Sequence, residues 1–186
     1  MQESPGLRPL TPDDAADVLD GFHPDPQMRR QGDVKDLDSA NKYIAFVTNA
    51  EQGNVAFAVE LQSRCVGVVA ISGASAHRLG WFFYWMHRDF RGRGLASRAA
   101  ATVAQWALDH GGFERLELGH RANNPASGGV ALAAGFIQEG LERKKFIIDG
   151  ERVDAATYGR LATDPAPKTP LLPLRTEPPA GSKVDP

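Results

Sequence analysis

The chain has 186 residues, 42% hydrophobic and 24% charged, with 21 Lys and Arg against 23 Asp and Glu, a net charge of −2. That length suits one domain with a substantial core, and that charge balance excludes a general attraction to nucleic acid or to an anionic membrane. A single cysteine, Cys65, excludes an internal disulfide and suits a reducing compartment.

No stretch approaches the roughly 18 apolar residues of a membrane span. The opening Met1-Gln2-Glu3-Ser4-Pro5 has neither the basic patch nor the apolar core of a signal peptide. A cytoplasmic protein with no nucleic-acid or membrane partner is therefore expected.

In chain order, Leu7 to Leu10 alternates as a first strand. Thr11-Pro12-Asp13-Asp14 then opens a helix that carries Ala15, Val18 and Leu19 inward and stops at Gly21. Residues 22–34 hold two prolines, Pro24 and Pro26, and the pair Arg29-Arg30. They read as a loop, either a ligand-touching one or a plain connection. A second helix spans 38–47, with Ala40, Tyr43, Ile44 and Val47 at helical spacing. Residues 55–61 and 65–71 form a hairpin, in which Cys65 is a core residue.

After a loop at 73–78, Leu79 to Met86 is so aromatic that both its faces should be covered. Leu95, Ala99, Val103, Trp106 and Ala107 stripe a long helix that ends at His110-Gly111-Gly112. Residues 114–121 form a strand, and Asn123-Asn124-Pro125 opens a helix closed by Gly135. Residues 136–140 and 143–148 are strand-like, Asp149-Gly150 turns, and 153–161 is the last strand. Seven of the 13 prolines lie beyond residue 161. The segment 162–186 is expected to be a flexible tail, disordered or draped, on which Leu171, Leu172 and Leu174 could still pack.

The chemistry concentrates between the aromatic strand and the long helix, in His87-Arg88-Asp89-Phe90-Arg91-Gly92-Arg93-Gly94-Leu95-Ala96. A cationic glycine turn at a helix start suits a phosphate-bearing ligand. It lacks the lysine and spacing of a phosphate-binding loop of the GxxxxGK[ST] type, and the third glycine of a dinucleotide fingerprint. What remains, Arg91-x-x-Gly94-x-Ala96, resembles the coenzyme A loop [QR]-x-x-G-x-[GA] of the GCN5-related N-acetyltransferase (GNAT) superfamily. The segment from His120 to Phe136, with Asn124-x-x-Ser127 and Gly135-Phe136, is similar to its RimJ/RimL-like branch, the ribosomal-protein N-terminal acetyltransferases. The opening Leu7 to Asp14 fits that branch too. The resemblance covers residues 7–161.

That resemblance implies a single α/β GNAT domain over 1–161, with a mixed, mostly antiparallel sheet flanked by helices and a splayed strand pair that admits the cofactor. It implies acetyl transfer from acetyl-CoA to a primary amine by direct attack. The acceptor is a protein or peptide N-terminus or a small amine such as an antibiotic or polyamine; a non-catalytic acyl-CoA-binding module is the rival. A homodimer is compatible with this reading, and no metal is expected.

For the cofactor, Arg91, Gly92, Arg93, Gly94, Leu95 and Ala96 would cradle the pyrophosphate through backbone N–H groups, Arg91 and Arg93 adding charge unless solvated. The backbone of Trp85, Met86 and His87 would hold the pantetheine arm and polarise the thioester carbonyl, an effect commonly worth about 3–4 kcal/mol. Ser127 would contact the sulfur as the catalytic acid, or be an ordinary first-turn serine. Asn124 would touch the cofactor or simply cap its helix. The aromatic strand carries no carboxylate, so Glu60, Glu117, His87 and His120 remain as candidate bases, or water carries the proton.

Overall fold

The computed structural model describes residues 4–23, 25–73 and 77–177. Pro24, the middle of the 73–78 loop and the end of the proline-rich segment lie outside them. Eleven elements follow in chain order: β1 (Gly6–Pro9), α1 (Ala15–Phe22), α2 (Leu37–Val47), β2 (Val55–Leu61), β3 (Arg64–Ser72), β4 (Leu79–Met86), α3 (Leu95–Asp109), β5 (Arg115–Arg121), α4 (Pro125–Ala133), β6 (Ile137–Ile148) and β7 (Glu151–Leu161).

The strands form one sheet in the order β1-β2-β3-β4-β5-β7-β6. Every pairing is antiparallel except β4 with β5. Alternation sends Ala56, Ala58, Val68, Ala70 and Trp85 to a layer shared with α1 and α2. It sends Phe57, Val59, Val69, Ile71, Phe82 and Met86 to a layer shared with α3 and α4. A bulge at Val59/Glu60 shifts the register beside Gly67. There the strands come so close that an added Cβ would meet Met86 Sδ at 2.4 Å and the Trp85 carbonyl at 2.7 Å. Cys65 is a buried core thiol whose pKa burial pushes up.

One break in the sheet positions the site. β4 pairs with β5 only through Leu79–Trp81 against Arg115–Glu117. Beyond that point β4 stays on β3 through Gly67↔Met86 and β5 stays on β7 through Arg121↔Ala155. The two central strands therefore part, and a row of β4 backbone groups faces the gap.

Several expectations are corrected. Thr11-Pro12 starts a 3-10 turn (Pro12–Asp14), and α1 begins only at Ala15. Asp14 is buried because Arg8 grips both its oxygens at 2.7 and 2.8 Å. The loop after α1 holds a further 3-10 turn, Pro26–Arg30, whose start is capped by Asp25 accepting from the Gln27 N–H. β4 is not covered on both faces along its length: Trp81 is 41% exposed. The two strand-like pieces after Gly135 are one strand, β6, irregular at Gln138/Gly140 and Glu142/Phe146.

Up to residue 177 the proline-rich segment is draped along the domain. Leu172 is buried and its N–H donates to Thr102 Oγ1 at 2.8 Å. The Leu7 and Arg175 N–H groups bond the Pro173 and Leu7 carbonyls at 2.8 and 2.9 Å, and Arg175 pairs with Glu60. Prolines exclude a ladder but leave these intervening donors free to dock.

Candidate active site

β4 ends at Met86 and the chain enters a 3-10 turn, Arg88–Phe90, before α3. Gly92 and Gly94 take φ of +74° and +72°, a region that favours glycine. Gly94 is the N-cap residue of α3 and offers no side-chain cap. The first bond into α3 is from the Arg98 N–H to the Gly94 carbonyl, at 3.1 Å. Among the described residues, the N–H groups of Gly92, Arg93, Gly94, Leu95, Ala96 and Ser97 meet no acceptor. Six backbone donors at the positive end of a fifteen-residue helix form an anion cradle. A Cβ at Gly92 or Gly94 would meet nothing within 4 Å, so the cradle is open.

The arginines of this loop divide. Arg91 is a clasp: its Nε donates to the Met86 carbonyl at 3.0 Å, and its Nη2 lies 2.7 Å from Asp25 Oδ2 and 3.8 Å from the Met28 sulfur. Burial pushes the Asp25 carboxyl up, but the Gln27 N–H and Arg91 outweigh it and hold the group below the usual carboxylate range. Arg93 donates to the Asp89 carbonyl at 2.9 Å and lies 5.1 Å over the Phe90 ring. Leu95 is buried and Ala96 half-buried, so each offers the cradle only its backbone.

Which β4 groups face the gap follows from alternation. The Arg78 carbonyl accepts from the Glu114 N–H, toward β5, while the His87 N–H donates to the Val66 carbonyl, toward β3. Even-numbered residues therefore present their backbone to the gap. That corrects two of the three expected pantetheine contacts: the Trp85 backbone and the His87 N–H serve β3, and the His87 carbonyl accepts from the Phe90 N–H at 3.0 Å. Tyr84 and the N–H of Met86 form the open edge, the Met86 carbonyl being taken by Arg91. The Trp85 indole is core, donating to the Tyr43 hydroxyl at 3.0 Å.

The far wall of the gap is the start of α4. Asn124 is the N-cap residue, its Oδ1 accepting from the Ser127 N–H at 3.4 Å. Its Nδ2 donates to Ser127 Oγ at 2.9 Å, which leaves the serine proton free to point elsewhere. The Tyr84 hydroxyl crosses from β4 to donate to the Ser127 carbonyl at 3.2 Å. Sequence reading placed Tyr84 in the core; its role as a strut across the gap depends on a contact 43 residues away. Asp25 and Met28 were also missed. The available signal was the Asp25-Pro26 cap pair.

Three candidate bases are already committed elsewhere. Glu60 binds Arg8 at 2.8 Å and Arg175 on the β1 side. The buried His87 ring accepts the Asp89 N–H at Nδ1 and sets Nε2 3.4 Å from Asp20. His120 Nδ1 lies 2.8 Å from the Arg121 carbonyl, so it carries the proton, and Nε2 accepts from the Tyr158 hydroxyl at 3.2 Å. Glu117 differs. It stands beside Trp81 where the strands part, half-exposed, with Arg115 Nε 2.9 Å from Oε1 and its second oxygen free among the described residues.

A groove of about 520 Å³ opens on this side of the sheet, between α2 and β4. Arg30, Asp33, Tyr43, Phe46, Trp81 and Phe83 line it. It lies on the face opposite α3 and α4 and ends at Trp81, the last β4 residue paired with β5, whose partner is Glu117.

A mostly antiparallel sheet with one short parallel pair that splays, and an open anion cradle at the helix after the splayed strand, defines an acyl-CoA-binding fold. The family model described as "Acetyltransferase (GNAT) domain" matches residues 6–137, and the chain belongs to that family. It is 24% identical over 106 residues, 56% of its length, to the ribosomal-protein-serine acetyltransferase of Escherichia coli, and the match spans 59% of that relative. Of solved structures, it resembles the ribosomal L7/L12 alpha-N-protein acetyltransferase RimL in complex with coenzyme A, at 19% identity and TM-score 0.76, over 85% of this chain and 94% of that one. A chimeric spermidine N-acetyltransferase from Vibrio cholerae superposes at 18% identity and TM-score 0.74, over 86% and 96%. Among the described residues no helix is long and apolar enough to cross a membrane.

Proposed function

We propose that this chain is an acetyl-CoA-dependent N-acetyltransferase acting on the amine of a peptide or protein N-terminus. The observation that carries the reading is the open β4 edge running into six unpartnered N–H groups between Gly92 and Ser97. A pyrophosphate requires such a cradle, and an amide-bearing arm requires such an edge. The curated relative named above acts on a ribosomal protein, which supports a polypeptide acceptor.

The bound thioester supplies an activated acetyl carbonyl. The chain's own residues do the rest. The Met86 N–H and the Tyr84 backbone hold the arm and orient that carbonyl toward the groove. Ser127 Oγ, held by Asn124, presents its proton toward the departing sulfur. Glu117 takes the ammonium proton, directly or through water, because it is the candidate carboxylate at the fork that no neighbour saturates. Trp81 and Phe83 exclude bulk water from the amine.

Thermal melting with acetyl-CoA, together with a thiol-release assay on N-terminal peptides, tests this. Stabilisation that Gly94→Asp removes, with thiol release that Ser127→Ala slows, is the expected result. Stabilisation by ATP in place of acetyl-CoA would overturn it.

A further inference from the structure

The acceptor groove is electrically polarised, and its polarity selects a kind of amine. At the fork, Arg115 is shared between Glu117 and Glu139, leaving one excess negative charge. Trp81 shows which face these groups occupy: a Cβ on Gly119 would sit 3.0 Å from its ring. Glu117 and Arg121, two residues either side of Gly119 on β5, therefore share the groove's face.

At the other end the balance reverses. Arg121 is half-buried and its side chain bonds no described residue. Arg30, which lines the groove, reaches this end of β5: it lies 3.3 Å from Asp149, on the turn leading into β7, whose Ala155 pairs with Arg121, and burial followed by the Arg30 charge lowers the Arg121 pKa. The one carboxylate facing this pair is Asp149, 3.3 Å from Arg30 and 89% exposed on the β6–β7 turn. The remaining charges beside the groove are internally neutralised, Asp33 by Lys35 at 2.9 Å and Lys42 by Asp38 at 2.6 Å. One excess positive charge stands at the mouth.

Resting on the acetyltransferase reading above, we infer that the acceptor is an acidic peptide N-terminus, its amine at Glu117 and a carboxylate side chain bound by Arg30 and Arg121. Four residues of strand separate Glu117 from Arg121, about 13 Å at 3.3 Å per residue. An extended peptide covers that span in three to four residues, so the carboxylate belongs to the third or fourth residue of the acceptor. A polyamine is a poor fit, because its second cation would meet the arginine pair.

Calorimetric titration of the coenzyme-A-saturated full chain with three tetrapeptide amides tests the inference: two alanines followed by two aspartates, two glutamines or two lysines. The aspartate peptide binds tightest, by roughly tenfold or more over the lysine peptide. Arg121→Gln erases that preference. Asp149→Asn, which removes the competing carboxylate, tightens the aspartate peptide several-fold. Equal binding of the three, preference for the lysine peptide or for spermidine, or an undiminished preference in Arg121→Gln would overturn it. If acetyl-CoA fails to stabilise the protein, the acetyltransferase reading itself fails; if only the peptide ranking fails, that reading stands and the charge selection does not.

Discussion

Two helices begin on opposite sides of the same gap, and they begin differently. α4 starts at Asn124, whose side chain satisfies the first turn and fixes a serine hydroxyl. α3 starts at Gly94, which has no side chain to cap its first turn. A helix that starts at glycine is less stable by roughly a few tenths of a kcal/mol than one with a capping side chain, and its first N–H groups stay available to a ligand. On the proposed reading, the closed terminus positions a group and the open one receives an anion. The same division runs through the loop arginines, Arg91 turned inward as a clasp and Arg93 left at the surface.

The sharpest way to break this comparison is to close the open end. Gly94→Asp places a carboxylate in the cradle proposed for the pyrophosphate, and acetyl-CoA stabilisation is expected to vanish. At a ligand concentration about 100 times Kd the wild type gains about 2.7 kcal/mol, or roughly 5–10 °C in Tm for a chain of this size. Gly94→Asn, with the same backbone strain and no charge, keeps most of that gain. An unchanged shift in the aspartate variant would sink the cradle assignment.

At the capped end the effect belongs to chemistry. Ser127→Ala is expected to lower kcat by about 100-fold, the lower range for a lost proton donor, while leaving the acetyl-CoA melting shift intact. If kcat holds and only the shift falls, Ser127 is a binding group and not the acid.

The two arginines separate next. Arg91→Ala leaves Asp25 buried without its partner and costs about 2 kcal/mol of unfolding free energy without ligand. Arg93→Ala, at an exposed site, costs under about 0.5 kcal/mol. Denaturant titrations of both variants check this. The pH dependence has a definite sign. Asp25 is held below its ordinary range in the folded state, so its contribution is present above the unfolded-state pKa near 4. It is lost as pH falls through the lower folded value. The gap between wild type and Asp25→Asn therefore narrows below about pH 4.

The smallest expected effect is at the strut. Tyr84→Phe removes one hydrogen bond to the Ser127 carbonyl, about 1 kcal/mol, and faster amide exchange at Ser127 and Gly128 reports the loosened start of α4.

Much of this was legible in the chain. The Pro12 and Asn124-Pro125 starts, the alanine stripe of α3 and the Gly92 and Gly94 turn are local signals, and their elements lie close to where those signals put them. The long-range matters were not. That Arg91 would be spent on Asp25, that Tyr84 would span to α4, and that Leu172 would dock on Thr102 depend on partners 66, 43 and 70 residues away. Backbone direction at the strand end was also misassigned: the Trp85 backbone and the His87 N–H turn to β3, because parity along β4 is set by its pairing and not by its own residues.

By itself, then, the sequence determined the order of the main elements and the glycine conformations of the turn from Arg91 to Ala96, since propensity, capping and glycine freedom are properties of a few adjacent residues. The tertiary structure alone decided that β4 and β5 part after Trp81 and Glu117. It also decided that six N–H groups stay open among the described residues, and that Glu117 and Arg121 share the sheet face on which Trp81 and the groove lie. Those are properties of packing, in which each strand is held by a different neighbour and the gap is the space that neither neighbour fills.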